Sequence, residues 1–353
     1  MYRVNESEAI LSSAAASLSS GLNFSISDLD LGRETVGSED GEESELDSYR
    51  LLIKSMRAGC TQDEARLLEN IVDLREVPDD YSHVHFSPTV IQALETNIHR
   101  SLVRRSEFTY GVLKHHQLTG AVLFGPPGTG KTLISQAVAK KCQLNMLSIA
   151  AGDIFHKGWG DDEKAIRAAF SLARKLHPCI MFVDEADGIL GKRLEGDLKF
   201  VRSMLSEFLR EWDGAMEGKD RRPFVLLATN MPWNLDPAVL RRAPVRILID
   251  VPTLEDRKGI LSILLREETL GEGLTVDGIA RLTRSFSGSD LKNLCVSATM
   301  RCIQEQVPDE NGNYPDRRVL YRSHFDFAFR YVKPSGSDMF MARKLLEFQR
   351  NGI

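Results

Sequence analysis

Apolar residues recur along the chain in two rhythms, and the change between them falls at Pro252. Before it, five short apolar runs have the length of buried strands: Gly120 to Phe124, Met146 to Ile149, Cys179 to Val183, Phe224 to Ala228 and Arg246 to Val251. Helical segments separate them. Glu163 to Leu176 puts Ile166, Phe170, Ala173 and Leu176 on one face, and Leu198 to Trp212 does the same with Val201, Leu205, Phe208 and Trp212. Short buried strands alternating with helices predict an α/β fold, a parallel sheet covered on both sides. After Pro252 the pattern is helical throughout, at Ile260 to Leu265, Thr275 to Leu282, Leu291 to Ile303, Phe325 to Val332 and Met339 to Phe348. A second, smaller α-helical domain without strands is expected there. Ser289 ahead of Asp290-Leu291 reads as a helix cap, and Pro308 to Pro315 as a loop between helices.

Upstream of the strands, Leu51, Leu52, Met56, Ala65, Leu68, Ile71 and Leu74 follow at spacings that predict a helical linker. The first 48 residues hold eleven serines, and Asp28 to Asp47 carries nine acidic residues against one arginine. Such a stretch buries too little apolar surface to offset its ordering entropy, so it is expected to be disordered apart from a short helix at Ile10 to Leu18. The organisation that results is an acidic tail at 1–47, a helical linker at 48–76, a large α/β domain at 77–252 and a helical lid with a C-terminal helix at 253–353.

Composition refines this picture in three places. The net charge of -5 comes from Asp28 to Asp47, whose -8 leaves the rest of the chain at +3, so no bulk positive field recruits nucleic acid or an anionic membrane. Charged and polar residues break every apolar run before it reaches the roughly 18 residues of a membrane span, so no transmembrane segment is expected. The five cysteines include no C-x-x-C pair and follow no secretory signal, which predicts reduced intracellular thiols. Cys179, Cys295 and Cys302 sit in apolar surroundings and read as small buried hydrophobes rather than metal ligands.

One stretch carries chemistry outright. Gly125-Pro126-Pro127-Gly128-Thr129-Gly130-Lys131-Thr132 stands between the first strand and a helix, the context in which a P-loop works. Glycines let the backbone N–H groups turn inward around a phosphate, and the helix that follows points its positive end at the same place. Lys131 would reach the β- and γ-phosphates of ATP and Thr132 would ligate Mg2+. The run Cys179 to Val183 ends in Asp184-Glu185, where Asp184 suits the metal and Glu185 suits a base that takes a proton from the attacking water. Asn230, at the end of the next strand, reads either as a turn residue or as a holder of the lytic water. Arg241 and Arg242 close a short helix and serve its dipole, the solvent, or catalysis.

From about Tyr81 to Phe348 the chain resembles an AAA ATPase. The P-loop, Asp184-Glu185, Ala228-Thr229-Asn230, Leu235 to Arg242 and Ser287-Gly288-Ser289-Asp290-Leu291 carry the resemblance. It is most similar to the branch that contains katanin, spastin and the mitochondrial outer-membrane ATPase that extracts tail-anchored proteins. The phrases Phe170 to Leu176 and Phe208 to Gly214 lean toward the last of these. This resemblance implies an Mg-dependent ATPase with Asn230 as polar sensor and with Arg241 and Arg242 as fingers acting on ATP in a neighbouring subunit. It implies a homohexameric ring that passes a polypeptide substrate through its pore. Val84, in His83-Val84-His85, falls where relatives carry an Asp-Ile/Val-Gly segment beside the adenine, and Gly288 joins the cofactor-binding set from the lid. Lys157 and Trp159 occupy the pore-loop position; Gly158 stands where relatives have the first aromatic, and Trp159 takes the following place. A tryptophan packed on its own domain is the other reading of Trp159.

Three other functions compete. Microtubule severing is the nearest, although no basic linker precedes the domain. A nucleic-acid helicase is suggested by Asp184-Glu185-Ala186-Asp187, which spells the helicase box, but the second motor core such enzymes need has no room after Pro252, so no nucleic-acid partner is expected. The third is a nucleotide-gated scaffold without turnover. The expected address is intracellular, in the cytoplasm or at the mitochondrion through a membrane-bound partner.

Overall fold

The computed structural model describes residues 53–75, 77, 85–102, 118–155, 161–192, 199–214, 221–307, 314–315 and 317–351. The acidic tail with its expected helix, Val84, Lys157, Trp159 and residues 308–313 of the expected loop lie outside them. The chain forms two compact units. The first comprises Met1–Asp79, Gln92–Val122 and Ser135–Arg246, and the second Asp80–Ile91, Leu123–Ile134 and Ile247–Ile353.

The expected sheet is present. Strands β1 (Gly120–Phe124), β2 (Asn145–Ile149), β3 (Cys179–Val183), β4 (Phe224–Thr229) and β5 (Val245–Leu248) lie in the order β2-β3-β4-β1-β5. β2 runs parallel to β3, with Asn145 opposite Cys179, and β3 parallel to β4, with Ile180 opposite Phe224. Every residue of β1, β3 and β4 is buried, which explains their uninterrupted apolar runs.

Among the described residues from Thr61 onward, the α-helices are, in order, α1 (Gln62–Arg66), α2 (Pro88–Leu102), α3 (Lys131–Lys141), α4 (Ala151–Ile154), α5 (Asp161–Lys175), α6 (Ala186–Ile189), α7 (Lys199–Trp212), α8 (Pro237–Arg242), α9 (Leu254–Leu264), α10 (Val276–Leu282), α11 (Gly288–Glu305), α12 (Arg322–Tyr331) and α13 (Met339–Asn351). The amphipathic pair α5 and α7 meets through Phe170 edge-on to Phe208, centroids 5.0 Å apart, and Phe208 edge-on to Trp212 at 5.8 Å. Arg174 pairs with Glu211 at 3.0 Å along the same seam. The Trp212 indole Nε1 donates to Thr119 O at 3.2 Å, and a Cβ on Gly120 would lie 2.5 Å from the ring, so a side chain at 120 would displace the indole.

The linker departs from its helical expectation. Residues 53–58 and α1 are helical, but after the turn Leu68–Asn70 the chain becomes extended. Ile71 bridges Leu147 antiparallel, Val72 N–H donates to Met146 O at 2.8 Å, and Asn70 Nδ2 donates to Ser148 O at 3.0 Å. The spacing of Leu68, Ile71 and Leu74 suits a helix, yet the free edge of β2 offers those backbone groups partners, and tertiary pairing wins. Lys175 Nζ ties α1 to α5 through Glu64 at 2.7 Å.

The second unit contains the lid helices α9 to α13. Leu261, Ile279, Leu291, Leu294 and Phe325 form its core, and Arg257 runs inside it, donating to Ala280 O at 3.0 and 3.1 Å and to Pro252 O at 2.9 Å. Cys295 and Cys302 face this core as expected, and burial pushes the Cys295 thiol up to about 12; Cys179, buried in β3, is also pushed to about 12. Two expectations fail here. Strands do not stop at Pro252: β6 (Thr269–Leu270) pairs in parallel with β7 (Val319–Leu320), each too short to leave a periodic signal. The cap of α11 is Ser287 rather than Ser289. Ser287 Oγ accepts the Asp290 N–H at 3.3 Å and Asp290 Oδ2 accepts the Ser287 N–H at 2.8 Å, a reciprocal capping box that leaves Ser289 in the first turn.

Two outcomes follow from these contacts. Phe208→Ala removes the middle ring of the α5–α7 seam and should cost about 3–5 kcal/mol, read as a lower unfolding temperature by circular dichroism. Burial raises the Glu64 carboxyl, but hydrogen bonds from Lys175, Ser171 and Thr61 outweigh it and leave it below the usual carboxylate value. A lowered carboxylate stabilises the fold above its ordinary pKa, and this stabilisation is lost as pH falls through the lowered value. Stability of the wild type should therefore drop more than that of Glu64→Gln as the pH is taken from 6 to about 3 in urea titrations.

Candidate nucleotide site

In the second unit, β1 ends at Phe124 and the chain turns at once into the glycine loop, which leads to α3 at Lys131. Gly125, Gly128 and Gly130 all have positive φ, at 154°, 73° and 92°. All three are also crowded by close neighbours. A Cβ on Gly125 would lie 2.0 Å from Ile249 O, and one on Gly128 would lie 2.8 Å from Ser287 Oγ and 3.0 Å from Ser289 Cβ. The carbonyl of Gly128 accepts the Ser289 N–H at 3.0 Å, and Gly288 stands so that its Cβ would be 3.4 Å from that same oxygen. The expected lid residue Gly288 therefore sits against the loop. Phe86 packs its ring on Gly130, a contact for which the sequence held no motif.

The loop organises its own polar groups. Lys131 is buried, and its Nζ donates to Gly125 O at 3.0 Å and Pro126 O at 2.8 Å. Thr129 Oγ1 donates to Pro126 O at 2.9 Å, which leaves Thr132 exposed one residue beyond the lysine.

Asp184, Glu185 and Asn230 belong to the first unit. β3 ends in Asp184, whose Oδ1 accepts the Glu185 N–H at 2.9 Å. Glu185 is exposed and holds a left-handed conformation, φ 46° and ψ 45°, at the start of α6. A non-glycine residue there costs roughly 1–2 kcal/mol, the kind of strain that concentrates at working sites. Asn230 follows β4, and its Oδ1 is shielded from solvent with no hydrogen-bond partner among the described residues. Its position is set by Thr229, whose hydroxyl donates to Asp187 Oδ1 and accepts the Met231 N–H at 2.9 Å. Asp187, the last letter of the helicase-like box, is thus engaged in holding the β4 turn. The two arginines of α8 differ. Arg242 is clamped by Asp213, Nε and Nη2 at 2.7 and 2.6 Å, and this carboxylate holds its guanidinium pKa above the ordinary value. Arg241 is exposed and forms no ion pair among the described residues.

These residues fit a magnesium nucleotide. A glycine cradle that a Cβ would fill leads into a helix N-terminus, as phosphate requires, and the Thr132 hydroxyl and Asp184 carboxylate are hard oxygen donors of the kind Mg2+ takes. Asn230 Oδ1, without a hydrogen-bond partner among the described residues, is a shielded acceptor.

Fold and residues together define a P-loop α/β nucleotide-binding protein with a helical lid. The model of the ATPase family associated with various cellular activities (AAA) matches residues 121–251, and that of the AAA+ lid domain matches 274–313. A solved structure of the FIGL-1 AAA domain in complex with ADP shares 31% identity at a TM-score of 0.63, covering 76% of this chain and 90% of that one. The chain belongs to the AAA ATPase family, and so is an ATP-hydrolysing enzyme. A structure bearing on katanin self-assembly is also similar, with 27% identity, a TM-score of 0.65 and coverage of 82% of this chain and 96% of that one. A probable spastin homolog of Caenorhabditis briggsae is 37% identical over 300 residues, 81% of this chain and 53% of the relative. The outer mitochondrial transmembrane helix translocase of Homo sapiens is 38% identical over 219 residues, 61% of each chain. The match thus spans little more than half the length of these curated relatives. Among the described residues no helix is long and apolar enough to cross a membrane.

Gly128→Ala combines a left-handed residue with a clash against the cap of α11. The backbone term alone, roughly 1–2 kcal/mol, predicts about ten-fold weaker binding of Mg·ADP by calorimetry, with the fold retained.

Proposed function

We propose that the chain is the motor of a homohexameric ring that uses Mg·ATP hydrolysis to remodel polypeptides drawn through its pore. Lys131 and the loop N–H groups would bind the phosphates, Thr132 and Asp184 would hold Mg2+, and Gly288, with Val84 as the resemblance implies, would serve nucleotide binding. Mg2+, when bound, neutralises charge that builds on the phosphates during transfer. Glu185 takes the proton of the attacking water, and Asn230 Oδ1 orients that water through its unpartnered lone pairs. Arg241 reaches the ATP of the adjacent subunit, while Arg242, held by Asp213, fixes the end of α8 beside it. The observation that carries completion in trans is this division of labour, an exposed arginine that forms no ion pair among the described residues beside a clamped one. Lys157 and Trp159 grip the substrate, the indole offering apolar contact to any extended chain.

The similarity to the mitochondrial helix translocase supports a membrane-protein substrate and an address at the mitochondrial surface. One observation favours a second reading, severing of a cytoskeletal polymer: the match to spastin homologs extends over 81% of this chain, against 61% for the translocase.

Glu185→Gln should lower ATP turnover by roughly 10²–10⁴-fold, the usual worth of a general base, while leaving Mg·ATP binding intact in a phosphate-release assay paired with calorimetry. Unchanged turnover would remove Glu185 from the chemistry. Trp159→Ala should retain turnover but lose ATP-dependent unfolding of a tagged protein. Disassembly of microtubules by the wild type, without unfolding of monomeric substrates, would favour severing.

A further inference from the structure

Two separate connections join the C-terminal segment of the second unit to its nucleotide loop, and they meet the loop at different points. One is apolar. Phe348 of α13, 1% exposed, packs edge-on against Phe124, the residue directly before Gly125, with centroids 5.1 Å apart and planes at 76°. The other is polar. Ser335, in the turn between α12 and α13, donates its backbone N–H and its hydroxyl to Asp290 Oδ2 at 2.8 and 2.7 Å, and its Oγ lies 3.0 Å from Ser287 Oγ. The same carboxylate oxygen accepts the Ser287 N–H, so a single atom gathers three donors. Burial raises the Asp290 carboxyl, but these hydrogen bonds outweigh it and hold it below the ordinary carboxylate value. On its other side Ser287 abuts Gly128. Gly336 completes the seat, since a Cβ there would lie 2.7 Å from Ser285 O.

We propose that Asp290, Ser335 and Phe348 are positioning residues for the nucleotide loop, so that docking of α13 and binding of nucleotide strengthen each other. The proposal rests on the P-loop reading given above. Capping of α11 needs only Ser287 and Asp290; it gives no reason for a serine 45 residues further on to add two donors to the same oxygen. Loop glycines have wide conformational freedom, and binding must offset the cost of ordering them unless neighbours have already done so. Ser335 holds the first turn of α11 against Gly128, while Phe348 fixes the strand end from which the loop departs. Such coupling is reciprocal: whatever factor α13 contributes to nucleotide affinity, nucleotide returns to the docking of α13.

The test uses the full chain and Mg·ADP as the probe. Calorimetry compares the wild type with Lys131→Ala, Ser335→Ala, Ser335→Thr and Phe348→Ala, each checked for folding by circular dichroism, and amide exchange across 340–350 is followed with and without ADP. Ser335→Ala and Phe348→Ala should bind ADP about five-fold or more weakly, the lower end of measured coupling. Ser335→Thr, which keeps the hydroxyl, should bind as the wild type does, and ADP should slow exchange in α13. Ser335→Ala removes only a turn hydroxyl, so it and the exchange measurement remain decisive if Phe348→Ala does not fold. Wild-type affinity in Ser335→Ala together with α13 exchange indifferent to ADP would overturn the proposal. Failure of the P-loop reading is distinguishable, for then the wild type binds ADP no better than Lys131→Ala, and the proposal goes with it.

Discussion

Glycines have no side chains with which to fix a loop's shape, so at each of the three in this loop the crowding neighbours must do so. In this chain the Ile249 carbonyl closes on Gly125, the cap of α11 on Gly128 and the Phe86 ring on Gly130. Each contact is close enough that a Cβ would collide, so loop and surroundings constrain each other. The lid helix is consequently more than a cover: its first turn, with Ser289 donating to the Gly128 carbonyl, forms part of the wall of the phosphate cradle. Lys131 completes the arrangement from within by donating to two carbonyls of the loop it follows.

The carboxylate side is held by a different means. Strand β3 is fully buried, so its register with β2 and β4 fixes where Asp184 emerges, and the left-handed turn at Glu185 directs the next carboxylate outward. The link from Thr229 to Asp187 joins the turns after β4 and β3 and sets Asn230 beyond them. Among the described residues the Asn230 Oδ1 has no partner, and an amide oxygen so shielded is costly by roughly 1–3 kcal/mol.

Much of this was legible in the sequence, for identifiable reasons. The P-loop and Asp184-Glu185 are contiguous residue types whose chemistry is tied to fixed spacing, and the strands are long enough to stand out as apolar runs. What escaped notice is pairing over distance: Asp213 with Arg242, 29 residues apart, Thr229 with Asp187, 42 apart, and Ser335 with Asp290, 45 apart. A single serine or aspartate carries no sign of which distant partner it will meet. Ile71 misled because its spacing from Leu68 and Leu74 suits a helix, and only the open edge of β2 draws it into a bridge. Ser289 misled as a cap because Ser287, two residues earlier, has the same chemistry and the better-placed partner in Asp290.

Division of the arginines of α8 into one clamped and one without an ion pair among the described residues is the feature on which the proposed ring mechanism turns. If Arg241 serves the neighbouring subunit's ATP, an isolated chain binds nucleotide but hydrolyses it poorly. Steady-state Mg·ATP turnover per chain, measured across a wide range of protein concentration at saturating ATP, is therefore the most direct measurement. Completion in trans requires turnover per chain to climb steeply with concentration and then reach a plateau as rings fill. A rate per chain that stays constant down to concentrations at which light scattering finds only monomers would mean that each chain hydrolyses ATP alone.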